Sequence, residues 1–568
     1  MSDNKYKRLS EDRKRLQSEG LVPEFYSTGS YQMFKEKYEW EVNGRSVRGQ
    51  FERIAYAAAI HLKGTKYEAE AESKFFELLW KGWLSASTPV LANMGTQRGM
   101  PVSCSGTHIE DSIDGFYKNL HEVAMLTKNG FGTSSNLSDI RPRGTPISVG
   151  GKASGVLPVI KEHVNTMRNV SQGNTRRGAW AAYLDITHGD FDEVSSYLLA
   201  ETDDLNIGWI ISNDFIDRLN EKEPEATRRF KKVMKIKMVT GKGYFFFVDK
   251  VNLKRPTMYV DNQFKVGASN LCSEITLFND NEHTYTCVLS SMNASKYNEW
   301  KNTDAVFWAT IFLDCVAQEF IDRASGISGL EKAVRFTKKG RALGLGLCGL
   351  HSLFMQNMMP FEGLEAHMMS QEISRYIASE AKRASQDMAF ALGEPEWCKG
   401  YGVRNTHLIA IAPTKSTALM MGGITEGINP EPAMVFSQLT SAGDIDRVNP
   451  VLLELMKSKG IYSKKHIQEI TDKVGSVQHV SWLTVEEKEV FKTAFEISQK
   501  AILRLASSRA QYLDQWQSLN LFFAADANPK DIAEIHKEAF NDPNILALYY
   551  VYTQAGVQAS KEECVACQ

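Results

Sequence analysis

Asn270-Leu271-Cys272-Ser273-Glu274 sets an amide, a thiol and a carboxylate at alternate positions of one pentapeptide. In an extended or looped segment, side chains 270, 272 and 274 project to the same side. Such a set can work on one ligand. The carboxylate can take a proton from a hydroxyl, and the amide can orient it. The competing reading is a strand edge with incidental polar residues, and the pentapeptide by itself favours that strand edge.

The other cysteines sort by setting. The chain has eight in all. Cys315 in a helical stretch, Cys348 in an apolar run and Cys398 beside Trp397 read as small buried hydrophobes, the usual fate of a free cysteine. Cys564-Val-Ala-Cys567 lies at the C-terminus. A structural zinc site needs two more ligands at matching spacing. There is no second Cys-x-x-Cys, and the nearest histidine is His536. A dithiol that exchanges with another disulfide is the better reading of that pair. No metal site is expected in this chain.

Bulk properties narrow the class. The chain has 568 residues, 43% hydrophobic and 24% charged, with a formal net charge of -2. That is the balance of a soluble globular protein, with no chain-wide nucleic-acid or membrane footprint. At about 150 residues per domain, two to four domains or one large elaborated domain are expected. Residues 1–20 are dense in charge and lack the apolar core of a secretory signal. The longest apolar helix candidate, 304–325, is interrupted by Asp314, Gln318, Glu319 and Asp322, which suits a buried helix and not a membrane span. A cytoplasmic location follows. Thiols there persist unless they are catalytic, metal-bound or redox-active.

Periodicity divides the chain into a helical region over 1–93, an α/β region over 94–545 and a terminal segment over 546–568. Residues 69–84 put Phe75, Phe76, Leu78, Leu79 and Trp83 on one apolar helical face. Met234-Lys-Ile-Lys-Met238 alternates with period two and predicts a strand, as does Gly243-Tyr-Phe-Phe-Phe-Val248. Helices are predicted over 304–323, 362–391 and 485–505. Gly344-Leu-Gly346-Leu-Cys-Gly349 has the spacing of a dinucleotide fingerprint but sits inside an apolar run without a βαβ setting, so it reads as close packing. No phosphate-loop motif occurs. The polar, cysteine-bearing stretch 556–568 reads as a mobile tail.

Several segments, taken in order, resemble the catalytic large subunits of ribonucleotide reductases from about Leu84 to the C-terminus. Ser85-Ala-Ser87-Thr88-Pro89 resembles their substrate-contacting segment, with Ser103 beside Cys104 as a further contact. Cys104, followed by Ile109-Glu-Asp-Ser112, resembles the first redox cysteine and its following strand. Asn270 to Glu274 resembles the finger-loop signature, and Cys287 stands where the second redox cysteine belongs. Pro413-Thr414-Lys415-Ser416-Thr417, leading to Glu426-Gly-Ile-Asn-Pro430, resembles the phosphate-binding turn. Hydroxyls and N–H groups at a helix start suit a diphosphate, although plain N-capping is their commoner use. Leu548-Tyr549-Tyr550 resembles the radical-transfer pair, against the commoner use of tyrosines in aromatic packing. Cys564 and Cys567 resemble the tail dithiol. Single motifs are weak; their joint order is specific.

The resemblance implies a ten-stranded α/β barrel with a central finger loop carrying Cys272 at its tip, preceded by a helical N-terminal region. It implies reduction of ribonucleoside 5′-diphosphates. A Cys272 thiyl radical would take the ribose 3′-hydrogen, Glu274 the 3′-hydroxyl proton, and Asn270 would hold the ribose. Cys104 and Cys287 would end as a disulfide, renewed by the tail and an external thioredoxin or glutaredoxin. The tail lacks a glycyl-radical segment. The tyrosine pair favours a radical made in a separate ferritin-like, metal-containing small subunit over an adenosylcobalamin-dependent enzyme; a non-catalytic nucleotide-binding regulator fits least. No N-terminal activity cone is recognisable before Leu84. A homodimer is implied, with a dNTP or ATP effector near Asp111, Ser112, Arg141 and Arg143. Gln172, Arg176 and Arg177 belong to a specificity loop, where a solvated surface turn is the plainer reading of the arginines. No cofactor is held covalently, and no nucleic-acid or membrane partner is expected.

Overall fold

Strands 104–107, 132–136, 180–185, 206–211 and 244–247 run through residues almost all buried, and runs buried on both faces favour a parallel sheet. The computed structural model describes residues 2–148, 150–172, 176–200, 205–440 and 443–554. In it Cys104–Thr107, Gly132–Asn136, Trp180–Asp185, Asn206–Ile211 and Tyr244–Phe247 pair side by side, all parallel. Tyr285–Asn293 joins antiparallel to the first of these and parallel to Leu343–Cys348.

Backbone hydrogen bonds carry the sheet onward. Leu343 and Leu345 donate to the carbonyls of His407 and Leu408 at 2.9 and 2.8 Å. Ile411 donates to Trp516 and Ser518 donates to Ile411, both at 2.9 Å. Tyr549 donates to Leu519 at 2.8 Å, and Leu521–Phe523 pairs parallel with Val551–Thr553. Ala547–Leu548 then pairs antiparallel with Tyr244–Phe247 and closes the ring. The ring has ten strand segments, with antiparallel seams where the two halves meet. The expected ten-stranded barrel is present, with Leu84–Ala86 added outside it on Tyr285–Asn293.

The N-terminal region is helical as expected: Ser2–Ser18, Thr28–Lys37, Val47–Ala59 and Glu68–Trp80. The last of these ends at Trp80, so Trp83 and Leu84 leave the predicted helical face. Phe75 packs edge-on against Phe312 at 5.3 Å, which seats the region on the helix Ala305–Ala324. That helix is buried over most of its length. Inside it, Asp314 lies between Arg341 and Arg404 at 2.7 and 2.9 Å, and those cations hold its carboxyl well below the usual range. Among the described residues no helix is long and apolar enough to cross a membrane.

Two predicted elements differ. Met234 to Met238 belongs to the helix Pro224–Thr240 and not to a strand. Glu223 caps its start, Pro224 occupies its first turn and Gly241 ends it in a left-handed conformation. These signals outweigh a five-residue alternation, because Phe230, Val233, Met234, Ile236 and Lys237 form one buried helical face. The helix predicted over 485–505 is two, Val485–Val490 and Gln499–Arg509. Between them the Glu496 carboxylate accepts from the Thr493 N–H at 2.8 Å and bends the chain.

The glycine-rich run is the strand Leu343–Cys348, as the close-packing reading expects. A Cβ on Gly344 would lie 2.4 Å from Leu289 Cδ2 and 3.0 Å from Cys287 Sγ. A Cβ on Gly346 would lie 2.7 Å from the Ala410 carbonyl oxygen, a backbone atom of the neighbouring strand. Gly346→Ala should therefore push two barrel strands apart and destabilise by about 1–3 kcal/mol. Thermal unfolding of the variant checks this; an unchanged midpoint would contradict the tight interstrand fit.

Candidate active site

Residues 269–278 are buried and run through the barrel between opposite walls. They are not a strand. The chain turns at 271–273, with Ser273 at φ 66°, a left-handed conformation that a non-glycine residue adopts at a cost. Asn270 clasps this turn. Its Oδ1 accepts from the N–H groups of Glu274 and Ile275 at 3.1 and 3.3 Å, and its Nδ2 donates to Glu274 Oε1 at 3.0 Å. The turn, and not the pleat of a strand, brings residues 270 and 274 together with Cys272 at the tip.

Both walls hold the loop. From one side, the Tyr183 hydroxyl donates to the Asn270 carbonyl at 2.6 Å and Ser134 donates to the Ser269 carbonyl at 2.8 Å. From the other, the Trp516 backbone N–H donates to the Glu274 carbonyl at 2.9 Å. The Ser518 hydroxyl reaches the Cys272 carbonyl at 2.8 Å and Glu274 Oε2 at 3.1 Å. Buried groups fixed this way have little freedom to reorganise.

Three cysteines meet around the tip. Cys104 and Cys287 face each other as register partners of two antiparallel strands. Directly opposed residues in such a ladder have Cα atoms about 4.5–5.5 Å apart, within disulfide range. Asn270 Nδ2 donates to Cys104 Sγ at 3.3 Å, and Gln515 Nε2 donates to Cys287 Sγ at 3.4 Å. All three are reduced, as are the buried Cys315, Cys348 and Cys398. The Tyr549 hydroxyl lies 3.6 Å from Cys272 Sγ. The rings of Tyr549 and Tyr550 are 4.2 Å apart, and Tyr244 touches both.

Burial sets the electrostatics. It raises the Glu274 carboxyl to about 7, against hydrogen bonds from Asn270 and Ser518 that lower it. It pushes the Cys287 thiol and the Tyr549 phenol well above their ordinary ranges.

A cleft of about 590 Å³ opens over the tip. Cys104, Cys272 and Glu274 line it, together with Ser87, Thr88 and Ser103 on one side and Pro413, Thr414, Lys415, Ser416 and Thr417 on the other. Ser87, Thr88 and Ser416 have buried hydroxyl oxygens with no hydrogen-bond partner among the described residues. Buried hydroxyls normally find a partner, so these suit a polar ligand. Thr414, at φ 59°, precedes the short helix Lys415–Met420 and accepts from the Gly427 N–H at 2.8 Å.

The remaining predicted residues lie elsewhere. Ile109 to Ser112 are irregular and not a strand: Ser112 caps the helix Ile113–Lys128, and the strand is the one that carries Cys104. Arg141 pairs with Asp111 at 2.5 Å, and Arg143 pairs with Glu193 at 2.8 Å. Ser171–Gln172 and Arg176–Arg177 form a two-stranded antiparallel ribbon. Their side chains, and Cys564 and Cys567, lie outside what is described. Sequence reasoning missed Tyr183, Tyr244, Gln515 and Ser518. Only the polar density of Asp514-Gln515-Trp516-Gln517-Ser518 between apolar residues marks part of this group.

Comparison with known proteins matches this geometry to one family. The ribonucleotide reductase barrel domain matches residues 102–226, 217–397 and 395–551. The ribonucleotide reductase all-alpha domain matches residues 24–99. A Frog virus 3 (isolate Goorha) protein bearing the ribonucleoside-diphosphate reductase large subunit name is 32% identical, over 88% of this chain and 93% of its own. The ribonucleoside-diphosphate reductase large subunit of Danio rerio is 26% identical, over 94% and 76%. The solved class Id ribonucleotide reductase alpha subunit of Actinobacillus ureae superposes with a TM-score of 0.85 at 34% identity, covering 93% of this chain and 97% of its own.

The register of Cys104 against Cys287 sets an expectation for oxidation. Mild oxidation followed by alkylation and peptide mapping should link Cys104 to Cys287 and leave Cys272 alkylated. A Cys272 cross-link to either would contradict the ladder geometry.

Proposed function

The chain belongs to the ribonucleotide reductase large-subunit family, and from that premise we propose that it reduces ribonucleoside 5′-diphosphates to 2′-deoxyribonucleoside 5′-diphosphates through a thiyl radical on Cys272. The observation that carries this reading is one cleft lined by Cys272, Cys104 and Glu274, with Asn270 bonded to Glu274 and Cys104, Cys287 facing Cys104 across the ladder, and the buried Tyr549 behind Cys272.

The chemistry follows from the residues. The diphosphate sits at Pro413 to Thr417, which line the cleft with the Ser416 hydroxyl unpartnered among the described residues; hydroxyls and N–H groups at a helix start suit such a group. Ser87, Thr88 and Ser103 receive the sugar side. A radical on Tyr549 takes one electron and one proton from the Cys272 thiol, leaving the thiyl. The thiyl takes the 3′-hydrogen atom. Glu274, as carboxylate, accepts the 3′-hydroxyl proton while Asn270 holds that oxygen. The 2′-hydroxyl takes a proton from one thiol of the Cys104–Cys287 pair and leaves as water. The pair then gives a hydrogen atom to C2′ and one electron to the 3′-ketone as it closes to a disulfide, Glu274 returns its proton to O3′, and Cys272 returns the hydrogen atom to C3′ and becomes a thiyl again. Cys564 and Cys567 reduce the disulfide by exchange, and a thioredoxin- or glutaredoxin-type dithiol reduces them in turn, in the reducing cytoplasm.

Tyr549 beside Cys272 favours a radical made in a ferritin-like, metal-containing small subunit, in keeping with likeness to a class I alpha subunit. In the same reading the chain works as a homodimer. A dNTP or ATP effector binds near Asp111, Ser112, Arg141 and Arg143, and the ribbon at Gln172, Arg176 and Arg177 passes its identity to the substrate site.

Two assays test the reading. The chain and its radical-generating subunit should form deoxynucleoside diphosphate. Turnover with adenosylcobalamin and no second subunit would overturn the two-subunit reading. With the second subunit present, Tyr549→Phe should lower product formation by at least about 100-fold while nucleotide binding survives, as expected for one member of a serial pathway. Normal turnover by that variant would contradict the relay.

Glu274 predicts a pH profile. Its carboxyl, raised to about 7, acts as a base only when ionised, so the rate should climb with pH through that region and level off above it. Glu274→Gln should remove this limb and cost about 10²–10⁴-fold in rate. A profile flat from pH 6 to 8 in the parent enzyme (about one unit either side of the carboxyl value) would contradict Glu274 as the base.

A further inference from the structure

Tyr550 is followed two residues later by Tyr552 in the strand Val551–Thr553. Residues two apart along an extended chain point the same way. Their rings lie 5.8 Å apart with planes at 49°. The partner strand fixes the outer ring. Phe522 is the register partner of Tyr552 and stacks on it at 5.3 Å and 19°.

The tyrosines thus form a line. Tyr549 reaches Cys272 through its hydroxyl, Tyr550 follows at 4.2 Å between rings, and Tyr552 comes next. Exposure grows outward: Tyr549 is buried, whereas Tyr550 and Tyr552 are half-buried. Tyr244 also touches Tyr549 and Tyr550, but it is fully buried. Its hydroxyl sits 3.2 Å from both Asn206 Oδ1 and the Tyr550 hydroxyl, so it is a side branch with no way out.

We propose that Tyr552 is a third relay tyrosine, the residue at which the oxidising equivalent from the radical-generating subunit reaches this chain. This deepens the radical reading above and rests on it. The one-electron oxidant of the second subunit takes an electron from Tyr552 and is itself reduced. The Tyr552 phenolic proton leaves to solvent at the half-exposed edge. Tyr550 then passes one electron and its phenolic proton to the Tyr552 radical, which restores Tyr552 and leaves the radical on Tyr550. The same exchange moves it to Tyr549 and then to Cys272.

The test uses the holoenzyme with substrate and effector. The more easily oxidised 3-aminotyrosine replaces Tyr552, or Tyr550 in a parallel sample, and turnover mixtures are frozen for electron paramagnetic resonance. An aminotyrosyl signal at 552, with matching loss of the small-subunit radical, is expected. Tyr552→Phe keeps the ring and its stacking on Phe522 but removes the phenolic proton. It should lower kcat at least about tenfold, with substrate KM and small-subunit Kd within about twofold of the parent. A signal at 550 but none at 552, or a Tyr552→Phe kcat within about twofold of the parent, overturns the proposal. No signal at either position, with Tyr549→Phe still active, overturns the whole relay and Tyr552's part in it.

Discussion

The Asn270 side chain ties the finger loop to itself, and the site depends on that clasp. One amide accepts two backbone N–H groups, donates to Glu274 and contacts the Cys104 sulfur. It thereby fixes the turn that presents Cys272, the direction of the carboxylate and the distance to the first of the facing cysteines. The barrel walls complete the restraint through Tyr183 on one side and Trp516 and Ser518 on the other. A loop of this length in solvent would sample many conformations. Enclosed and hydrogen-bonded at both ends, it holds one, which is the preorganisation that positional chemistry needs.

Enclosure also sets the character of the groups. Burial disfavours charge, so the Cys287 thiol and the Tyr549 phenol keep their protons. A thiol and a phenol in that state exchange hydrogen atoms, whereas a thiolate acts as a nucleophile. The same burial brings Glu274 to about 7, where it can accept and release a proton under ordinary conditions. The closed barrel is therefore more than a scaffold. Its buried interior suits the one-electron chemistry proposed for it, and the Gly344 and Gly346 contacts that let strands approach closely help to keep it closed.

Much of this was legible in the sequence, for reasons that differ by residue. The α/β alternation and the helical N-terminal region follow from periodicity. The pentapeptide around Cys272 had two readings, and its order among Cys104, Cys287, the 413–417 turn and the tyrosines is what favoured the site. Met234 to Met238 misled because five alternating residues look alike in a strand and on the edge of a helix; the caps at Glu223 and Gly241 carry the decision. The 485–505 stretch misled because helix propensity continues where Glu496 bends the chain. Tyr183 was invisible, and Gln515 and Ser518 were marked only by polar density, because each is an ordinary residue made special by a partner far away in sequence. Tyr552 was in plain view, but only the ring geometry sets it in line with Tyr549 and Tyr550.

The role of Cys272 is tested most directly by a ribonucleoside diphosphate deuterated at C3′, turned over by the reconstituted enzyme. A primary isotope effect in the parent enzyme, together with complete loss of both turnover and 3′-hydrogen exchange in Cys272→Ser, is the predicted result. Product formation by Cys272→Ser at the parent rate, or 3′-hydrogen exchange that persists in it, would contradict the assignment of Cys272 as the radical that opens the ribose to reduction.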